Sequence, residues 1–350
     1  MSLGVKLAAE TLGMKFESAF AADFDPAALR VYERNLEPAE AFGGDLSAVV
    51  RYRLSSKRPH GFVSIRLTHP ALRRLEGEVD VLIGGPPCQG HSDLNNHSRR
   101  ADPKNQLYLI MAALAAALNP RAVIIENVPG VVHDRSRVAE TTELLLADMG
   151  YTVQPAVVSM GDLGIAQLRK RHALVAVRSS QLDVAGTLRA LDATPRPVRW
   201  AISDLRSRVG SHFDEASRQS QANQRRIRWL FDNDEYDLPN PLRPPCHRQK
   251  EHTYVSMYGR MDWNSAAQTV TSGFGSPGQG RYVHPREQRT ITPHEAARLQ
   301  FFPDTFRFCP DAGSPPSRTE LSRMIGNAVP PKMSYSLALA VSAALTMSAD

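Results

Sequence analysis

Apolar residues recur along the chain with two periods, and these periods predict helices that alternate with strands. In the helices, apolar positions lie three and four residues apart, whereas the strands are short apolar runs that end at glycine or at a polar residue. The predicted helices cover residues 2–12, 26–32, 107–118, 137–149, 292–300 and 332–347, and the predicted strands cover 18–22, 79–83, 122–125 and 173–177. This alternation predicts an α/β fold with a doubly wound, mostly parallel sheet.

Local signals mark where several of these helices begin and end. Asp25-Pro26 is typical of an N-cap followed by proline in the first turn, and Gly150 is typical of a C-cap. Thr292 and Glu295 have the spacing of a capping box. By contrast, residues 51–74 are rich in arginine, and we interpret them as a helical or irregular insert with a solvated face.

Residues 179–287 differ in composition from the rest of the chain. They are richer in Arg, Gln, Asn and His, and their apolar periodicity is weak. We therefore predict a catalytic and cofactor-binding domain over 1–178, a smaller second domain with a basic face over 179–287, and a return to the catalytic domain over 288–350. The 350 residues are enough for two such domains.

Charge and cysteine content restrict the class of protein. The 42 Lys and Arg against 36 Asp and Glu give a formal net charge of +6, so nucleic acid is a plausible partner. Three dispersed cysteines without a Cys-x-x-Cys pair argue against a disulfide framework or a metal site, and they favour a reducing compartment. Because we find neither a signal peptide nor a run that could span a bilayer, we expect a cytoplasmic protein, associated with the nucleoid in a bacterium.

The most distinctive stretch is Gly-Gly-Pro-Pro-Cys-Gln-Gly-His-Ser over residues 84–92. It follows the strand at 79–83 directly, and ligands of open α/β sheets gather where parallel strands end. Two prolines restrict the backbone ahead of Cys88, which favours a presented thiol. The alternative is a buried structural cysteine, the commoner state of an arbitrary cysteine. We interpret Cys88 as a nucleophile.

Further polar groups follow the other predicted strands. Glu126 ends the strand at 122–125, so a carboxylate and the Cys88 thiol would line one pocket. If 167–172 continue the next strand, alternation puts Gln167, Arg169 and Arg171 on one side. A surface basic strand is the alternative for that segment, and a satisfied strand-end acid is the alternative for Glu126.

Two other stretches stay open on local sequence alone. Asp23 follows a predicted strand and is either a ribose-binding acid or a solvated loop carboxylate. Residues 273–278 match Gly-x-Gly-x-x-Gly, but Pro277 and the residues after it do not open a helix. We expect a loop there, beside a phosphate backbone or in solvent.

Four motifs occur in order: Gly-Gly-Pro-Pro-Cys-Gln-Gly at 84–90, Glu-Asn-Val at 126–128, Gln-x-Arg-x-Arg at 167–171, and Gly-Asn-Ala-Val-Pro-Pro at 326–331. With them the chain resembles the DNA (cytosine-5) methyltransferases, above all those of the Dcm type and of restriction-modification systems. The resemblance covers most of the chain. It implies the S-adenosylmethionine-dependent methyltransferase fold, with residues 179–287 as the target-recognition domain.

The resemblance also implies a covalent mechanism. Cys88 would add as thiolate to carbon 6 of a cytosine flipped out of the helix. Glu126 would bind ring nitrogen 3, and Arg169 would stabilise charge on the carbonyl oxygen of the base, with Arg171 as a further catalytic residue. Loss of the carbon 5 proton after methylation would expel the thiol.

S-adenosylmethionine is the cofactor that the resemblance implies, without any metal. By this resemblance, Asp23 corresponds to the family's ribose-binding acid and Asp45 to the partner of the adenine amino group. Leu107 corresponds to an apolar residue that packs on the adenine. Asn327, in the Gly-Asn-Ala-Val-Pro-Pro turn, would position the last helix so that it completes the cofactor site. The complete predicted cofactor set is Asp23, Phe24, Asp45, Leu46, Pro86, Leu107 and Asn327.

Double-stranded DNA is the implied partner. The predicted DNA-binding residues are Gln89, Ser92, Gln167 and Arg289, of which Arg289 matches an arginine that supports the target-recognition domain. We expect the chain to be a monomer and to function beside a cognate restriction endonuclease. Two alternatives remain: a transfer RNA cytosine-5 methyltransferase, and a catalytically impaired DNA-binding remnant.

The chain departs from the family pattern at two places. His91 stands where relatives usually have Phe. Relatives also have an apolar strand and a Phe-x-Gly-x-Gly-Gly loop ahead of the first helix, and this chain aligns just after that loop. A start assigned too far downstream, or a shortened chain, is favoured over a natural deletion, and the reading frame upstream of Met1 would distinguish them. Without the strand and the loop we expect weakened cofactor binding.

Overall fold

The computed structural model describes residues 1–55, 61–87, 107–205, 211–248, 256–309 and 315–347. They form two compact units: unit 1 contains Met1–Ser159, Lys170–Asp192 and Pro331–Asp350, and unit 2 contains Met160–Arg169 and Ala193–Pro330. These limits differ from the predicted boundaries at 178 and 287. The structure puts 179–192 in unit 1, and it puts 160–169 and 288–330 in unit 2.

The helices and strands follow the predicted alternation closely. The strands, all in unit 1, are β1 Ala21–Asp23, β2 Ala41–Gly43, β3 Val50–Leu54, β4 Phe62–Leu67, β5 Val81–Gly84, β6 Ala122–Asn127, β7 Thr152–Ser159 and β8 Lys170–Val177. The helices are α1 Ser2–Thr11, α2 Pro26–Leu36, α3 Pro70–Arg74, α4 Leu107–Leu118, α5 Val138–Asp148, α6 Val184–Ala190, α7 Val198–Ile202, α8 Gln221–Asp232, α9 Pro245–Arg248, α10 Pro293–Leu299, α11 Arg318–Asn327 and α12 Pro331–Thr346. No helix in these described parts is long and apolar enough to cross a membrane.

The sheet of unit 1 is mixed and divided. Four strands pair in the order β5-β6-β8-β7. β5 and β6 are parallel, but β8 lies between β6 and β7 and is antiparallel to both. The prediction of a mostly parallel sheet therefore agrees with the β5–β6 pair and fails for the two pairs that involve β8. Within the described residues, β1 and β2 form a separate parallel pair, so the expected continuous sheet is interrupted.

The core of unit 1 is built around β6 and α4. Every residue of β6 is buried, which accounts for its uninterrupted apolar sequence before Glu126. α4 lies close to β5: a Cβ added to Gly84 would lie 2.5 Å from the sulfur of Met111. A side chain at the end of β5 would therefore require the Met111 side chain to move.

The arginine-rich stretch at 51–74 is mainly a β-hairpin, and the prediction of a helical or irregular insert is wrong for it. β3 and β4 pair antiparallel, and only the short α3 is helical. Arg51 and Arg53 are exposed while Val50 is buried and Tyr52 is partly buried, which is the alternation of a strand. The frequent charges masked this period in the sequence.

Unit 2 contains both confirmed and unpredicted elements. The capping box of Thr292 and Glu295 opens α10 with both hydrogen bonds present. α8 and α11 were not predicted. α8 packs through Ile227 and Leu230, which belong to a cluster of buried residues with Leu238, Tyr258 and Val283. The loop at 273–278 is packed rather than solvated, since Phe274 is buried.

Candidate active site

Glu126 and Asn127 end β6 beside the end of the parallel strand β5. Asn127 is completely buried, and its amide nitrogen Nδ2 donates to the carbonyl of Pro86 at 3.2 Å. Its Oδ1 accepts from the N–H of Val128 at 2.9 Å. Asn127 thus fastens the proline turn, two residues ahead of Cys88, to the end of β6. Sequence reasoning missed this positioning residue, although it is the second letter of the Glu-Asn-Val motif.

Arg171 lies directly beside Glu126. Its Nε is 2.9 Å from Glu126 Oε1, and the two side chains are only 13% and 10% exposed. The backbone of Gly85 borders the same carboxylate, because a Cβ built there would lie 3.4 Å from Oε2. In such a partly buried pair the attraction is stronger than at the surface, so Arg171 holds the Glu126 carboxylate in one orientation.

Arg169 occupies a different environment from the one predicted. It belongs to unit 2 and is 2% exposed. Its guanidinium donates to backbone carbonyls at 2.9–3.3 Å, those of Val270, Gly326 and Ala328. The predicted alternation with Arg171 fails because β8 begins only at Lys170, so Arg169 is not part of the strand. The arginine that accompanies Glu126 is Arg171.

Gln167 is likewise committed to the interior of unit 2. It is completely buried, and its Oε1 accepts from the N–H of Val270 at 2.8 Å. Its Nε2 donates to the carbonyl of Leu299 at 3.0 Å and to Oε1 of Gln300 at 2.9 Å. Gln167 thus ties the segment before β8 to the rest of unit 2, and its predicted contact with DNA stays a prediction.

A cavity of about 1360 Å³ lies in unit 1. It exceeds the roughly 300–1,000 Å³ of ordinary small-molecule pockets. Its lining contains six of the seven predicted cofactor residues, namely Asp23, Phe24, Asp45, Leu46, Pro86 and Leu107. Residues that are up to 84 positions apart along the chain are thus brought to one cavity.

The two acids of this cavity have a similar local structure. Asp23 Oδ1 accepts from the N–H of Asp25 at 2.8 Å, and Asp45 Oδ1 accepts from the N–H of Ser47 at 2.8 Å. The hydrogen bonds from Ser47 lower the pKa of Asp45, which keeps its carboxylate ionised. Phe24, next to Asp23, is 79% exposed, so an aromatic face is available beside the acids.

Two strand edges also line the cavity. Alternate residues of a parallel strand direct their backbone groups to opposite edges. Asp23 accepts a hydrogen bond from the β2 side, so Ala22 directs its groups away from β2. Asp80 accepts one from the β6 side, so Val81 and Ile83 direct theirs away from β6. Ala22, Val81 and Ile83 all line the cavity, and β5 is an edge strand among the described residues.

Two further predicted site residues lie in unit 2. Asn327 is the exposed last residue of α11. Arg289 forms hydrogen bonds with Glu287 at 2.9 Å and with both carboxylate oxygens of Glu295 at 2.7 Å. His284 lies 3.4 Å from Glu295 in the same cluster. The donors of Arg289 are therefore used by these acids inside unit 2.

Three predicted residues, Cys88, Gln89 and Ser92, lie outside the described residues. The last described position before them is Pro87, which follows the Pro86 carbonyl held by Asn127. The structure thus describes the acid, the arginine and the turn leading to the predicted nucleophile.

Relatives of known structure share this fold. The methyltransferase Dnmt2 of S. pombe matches with a TM-score of 0.65 at 16% identity, over 97% of this chain and 95% of that one. The methyltransferase EhMeth of Entamoeba histolytica matches with a TM-score of 0.62 at 14% identity, over 98% and 95%. At such low identity these matches show the fold alone.

Sequence comparisons define the family. The chain is 41% identical over 340 residues to the type II methyltransferase M1.BsuMI of Bacillus subtilis, covering 97% of this chain and 77% of that protein. It is 34% identical over 259 residues to the type II methylase M.HgiDII of Herpetosiphon aurantiacus, covering 71% and 72%. The family model for C-5 cytosine-specific DNA methylase matches residues 2–343. The chain therefore belongs to the C-5 cytosine-specific DNA methylases and is a DNA (cytosine-5)-methyltransferase.

Proposed function

We propose that the chain methylates carbon 5 of a cytosine flipped out of duplex DNA, with Cys88 as nucleophile, Glu126 and Arg171 as the groups that bind the base, and S-adenosylmethionine as cofactor. The observation that carries this proposal is the Glu126–Arg171 pair, located where Asn127 fastens the turn that leads to Cys88. The names of the two type II relatives favour a role in a restriction-modification system.

The residues have complementary tasks. The Cys88 thiolate forms a bond to carbon 6 of the cytosine, and Glu126 holds a proton at ring nitrogen 3 while electron density shifts to carbon 5. Arg171 keeps the carboxylate in place and stabilises negative charge that develops on the base. Once carbon 5 is methylated, loss of its proton restores the ring double bond and breaks the bond to sulfur.

The cavity of unit 1 fits the cofactor. S-adenosylmethionine, when bound, supplies the methyl group. The ionised Asp45 and the neighbouring Asp23 are suited to the amino and hydroxyl donors of an adenosine, and the exposed Phe24 offers a face for stacking. Pro86 and Leu107 add apolar contacts in the same lining. The same carboxylates would also attract the positively charged sulfonium compound.

Trapping of the covalent adduct tests the nucleophile. A duplex with 5-fluorocytosine has no carbon 5 proton to lose, so the adduct with the enzyme should persist in a denaturing gel. We expect the adduct with the unmodified chain and its loss in Cys88→Ser. Cys309→Ser is the matched control: burial raises the pKa of the Cys309 thiol, so it contributes little thiolate. An adduct that survives in Cys88→Ser would overturn the assignment.

Substrate preference is measured with labelled cofactor on duplex DNA and on transfer RNA in parallel. We expect transfer to duplex DNA, and bisulfite sequencing of the product would give the target site. A strong preference for transfer RNA would replace duplex DNA as the substrate while leaving the chemistry unchanged. Retention of DNA without binding of S-adenosylmethionine in calorimetry would instead indicate a catalytically impaired chain.

A further inference from the structure

The helix α8 of unit 2 carries one continuous polar stripe. Its exposed residues Gln221, Gln224, Arg225 and Arg228 are spaced i, i+3, i+4 and i+7, so they share one face. Ile227 and Leu230 bury the opposite side in the core of unit 2, and the Ser220 hydroxyl caps the first turn. The stripe is therefore held on a fixed helix.

The arginines of the stripe differ from other arginines of unit 2. Five of those have acidic partners: Arg260 pairs with Asp234, Arg281 with Asp237, Arg289 with Glu287 and Glu295, Arg298 with Asp204 and Asp304, and Arg318 with Glu215. Arg226, on the inner side of α8, donates to the carbonyl of Leu242 and to Asn223. Across the described part of the chain, no acid lies within ion-pair distance of Arg225 or Arg228.

The charge near this stripe is positive along most of its length. Arg218 is a further exposed arginine, located two residues ahead of the Ser220 cap. The acid on the same face is Asp232, one turn beyond Arg228 at the C-terminal end of the helix. A ligand that binds to the stripe therefore contacts mainly guanidinium and amide groups.

We propose that this stripe of α8 contacts the duplex substrate, with Arg225 and Arg228 on phosphates and Gln221 and Gln224 directed to base edges. The inference rests on the proposed action on duplex DNA. Guanidinium forks match phosphate oxygens, and a glutamine amide matches the donor and acceptor pair of adenine in the major groove, which is wide enough for a helix. Hydrophobic packing on the other side of α8 holds the helix in place. Gln224 Nε2 donates to the carbonyl of Gln219 at 2.9 Å, which leaves its second N–H and its Oε1 for a base.

The salt dependence of binding tests the arginines. Each phosphate contact contributes about 0.9 to the slope of log affinity against log salt, so Arg225→Ala/Arg228→Ala should reduce the slope by about 1.8. Between 50 and 200 mM salt the unmodified chain should then lose about twelvefold more affinity than this variant. Arg189→Ala, which removes an exposed arginine of α6 in unit 1, is the matched control and should leave the slope unchanged.

Glutamine substitutions separate base contact from general attraction. Gln221→Ala/Gln224→Ala should preserve the salt slope and binding to unrelated duplex, while it reduces the preference for the target site about tenfold. The proposal is overturned if both double variants bind and methylate the target duplex as the unmodified chain does. If the unmodified chain methylates transfer RNA instead of DNA, the proposed function is wrong. Methylation of DNA and of transfer RNA by the unmodified chain therefore distinguishes a failure of the proposed function from a failure of the α8 proposal.

Discussion

Two arginines that are two residues apart in the chain have opposite environments. Arg171 belongs to β8 and pairs with Glu126 at the end of β6. Arg169 precedes the strand and donates to three backbone carbonyls inside unit 2. Both carry the same charge and belong to the same Gln-x-Arg-x-Arg motif, yet one holds a reactive-site acid and the other joins chain segments. The motif alone does not distinguish these tasks. They differ because β8 begins at Lys170, so that Arg171 is part of the strand and Arg169 is not.

The largest effect is expected at the acid of the pair. Glu126→Gln preserves size and leaves an acceptor for Arg171, but the amide cannot hold a proton at ring nitrogen 3. We expect single-turnover methylation to fall by about 10²–10⁴ while DNA binding is kept. Rapid-quench measurement with labelled cofactor checks this. Methylation within a factor of three of the unmodified rate would remove Glu126 from the chemistry.

The arginine of the pair should have the next largest effect on rate. Arg171→Ala removes the group that orients Glu126 and stabilises charge on the base, so we expect a fall of about 10²–10³ in the single-turnover rate. Arg171→Lys keeps the charge but loses the planar fork, and it should recover only part of the rate. Equal rates for Arg171→Ala and the unmodified chain would contradict the role derived from the 2.9 Å contact.

Replacement of Arg169 should reduce the stability of the fold and leave the methylation rate almost unchanged. Arg169→Ala leaves three carbonyls of unit 2 without their donor, and each unsatisfied buried group costs about 1 kcal/mol or more, so we expect a loss of about 3 kcal/mol in the free energy of unfolding. Denaturant titration measures this loss, and the rate per folded molecule should change little. A large fall in rate with unchanged stability would return Arg169 to the catalytic role first predicted for it.

The sequence could predict the elements better than their pairing. Short apolar runs such as 122–125 identify β6, because a strand buried on both faces must be apolar throughout. The position of β8 between β6 and β7 has no local signal, since strand order depends on contacts between distant segments. Asp23 and Asp45 could be assigned to one cavity by resemblance, whereas the Arg171–Glu126 pairing depends on where β8 begins.

A similar contrast, between paired and unpaired backbone edges, separates the strands of unit 1. β6 is paired on both sides, whereas one edge of β5 and one edge of β1 line the cavity that holds Asp23. An apolar strand and a glycine loop added ahead of Met1, as in the family pattern, would supply backbone partners for both edges.

A chain extended in this way should therefore bind S-adenosylmethionine more tightly. We expect a Kd at least about tenfold lower, or roughly 1.4 kcal/mol, by calorimetry, together with slower hydrogen exchange at Ala22, Val81 and Ile83. An extension of equal length with proline inside the strand is the matched control, because proline cannot complete the ladder. If both extensions bind the cofactor with the same Kd and the three amides exchange as before, the unpaired edges of β1 and β5 do not weaken cofactor binding. The contrast between these edges and the fully paired strand β6 would then have no functional consequence.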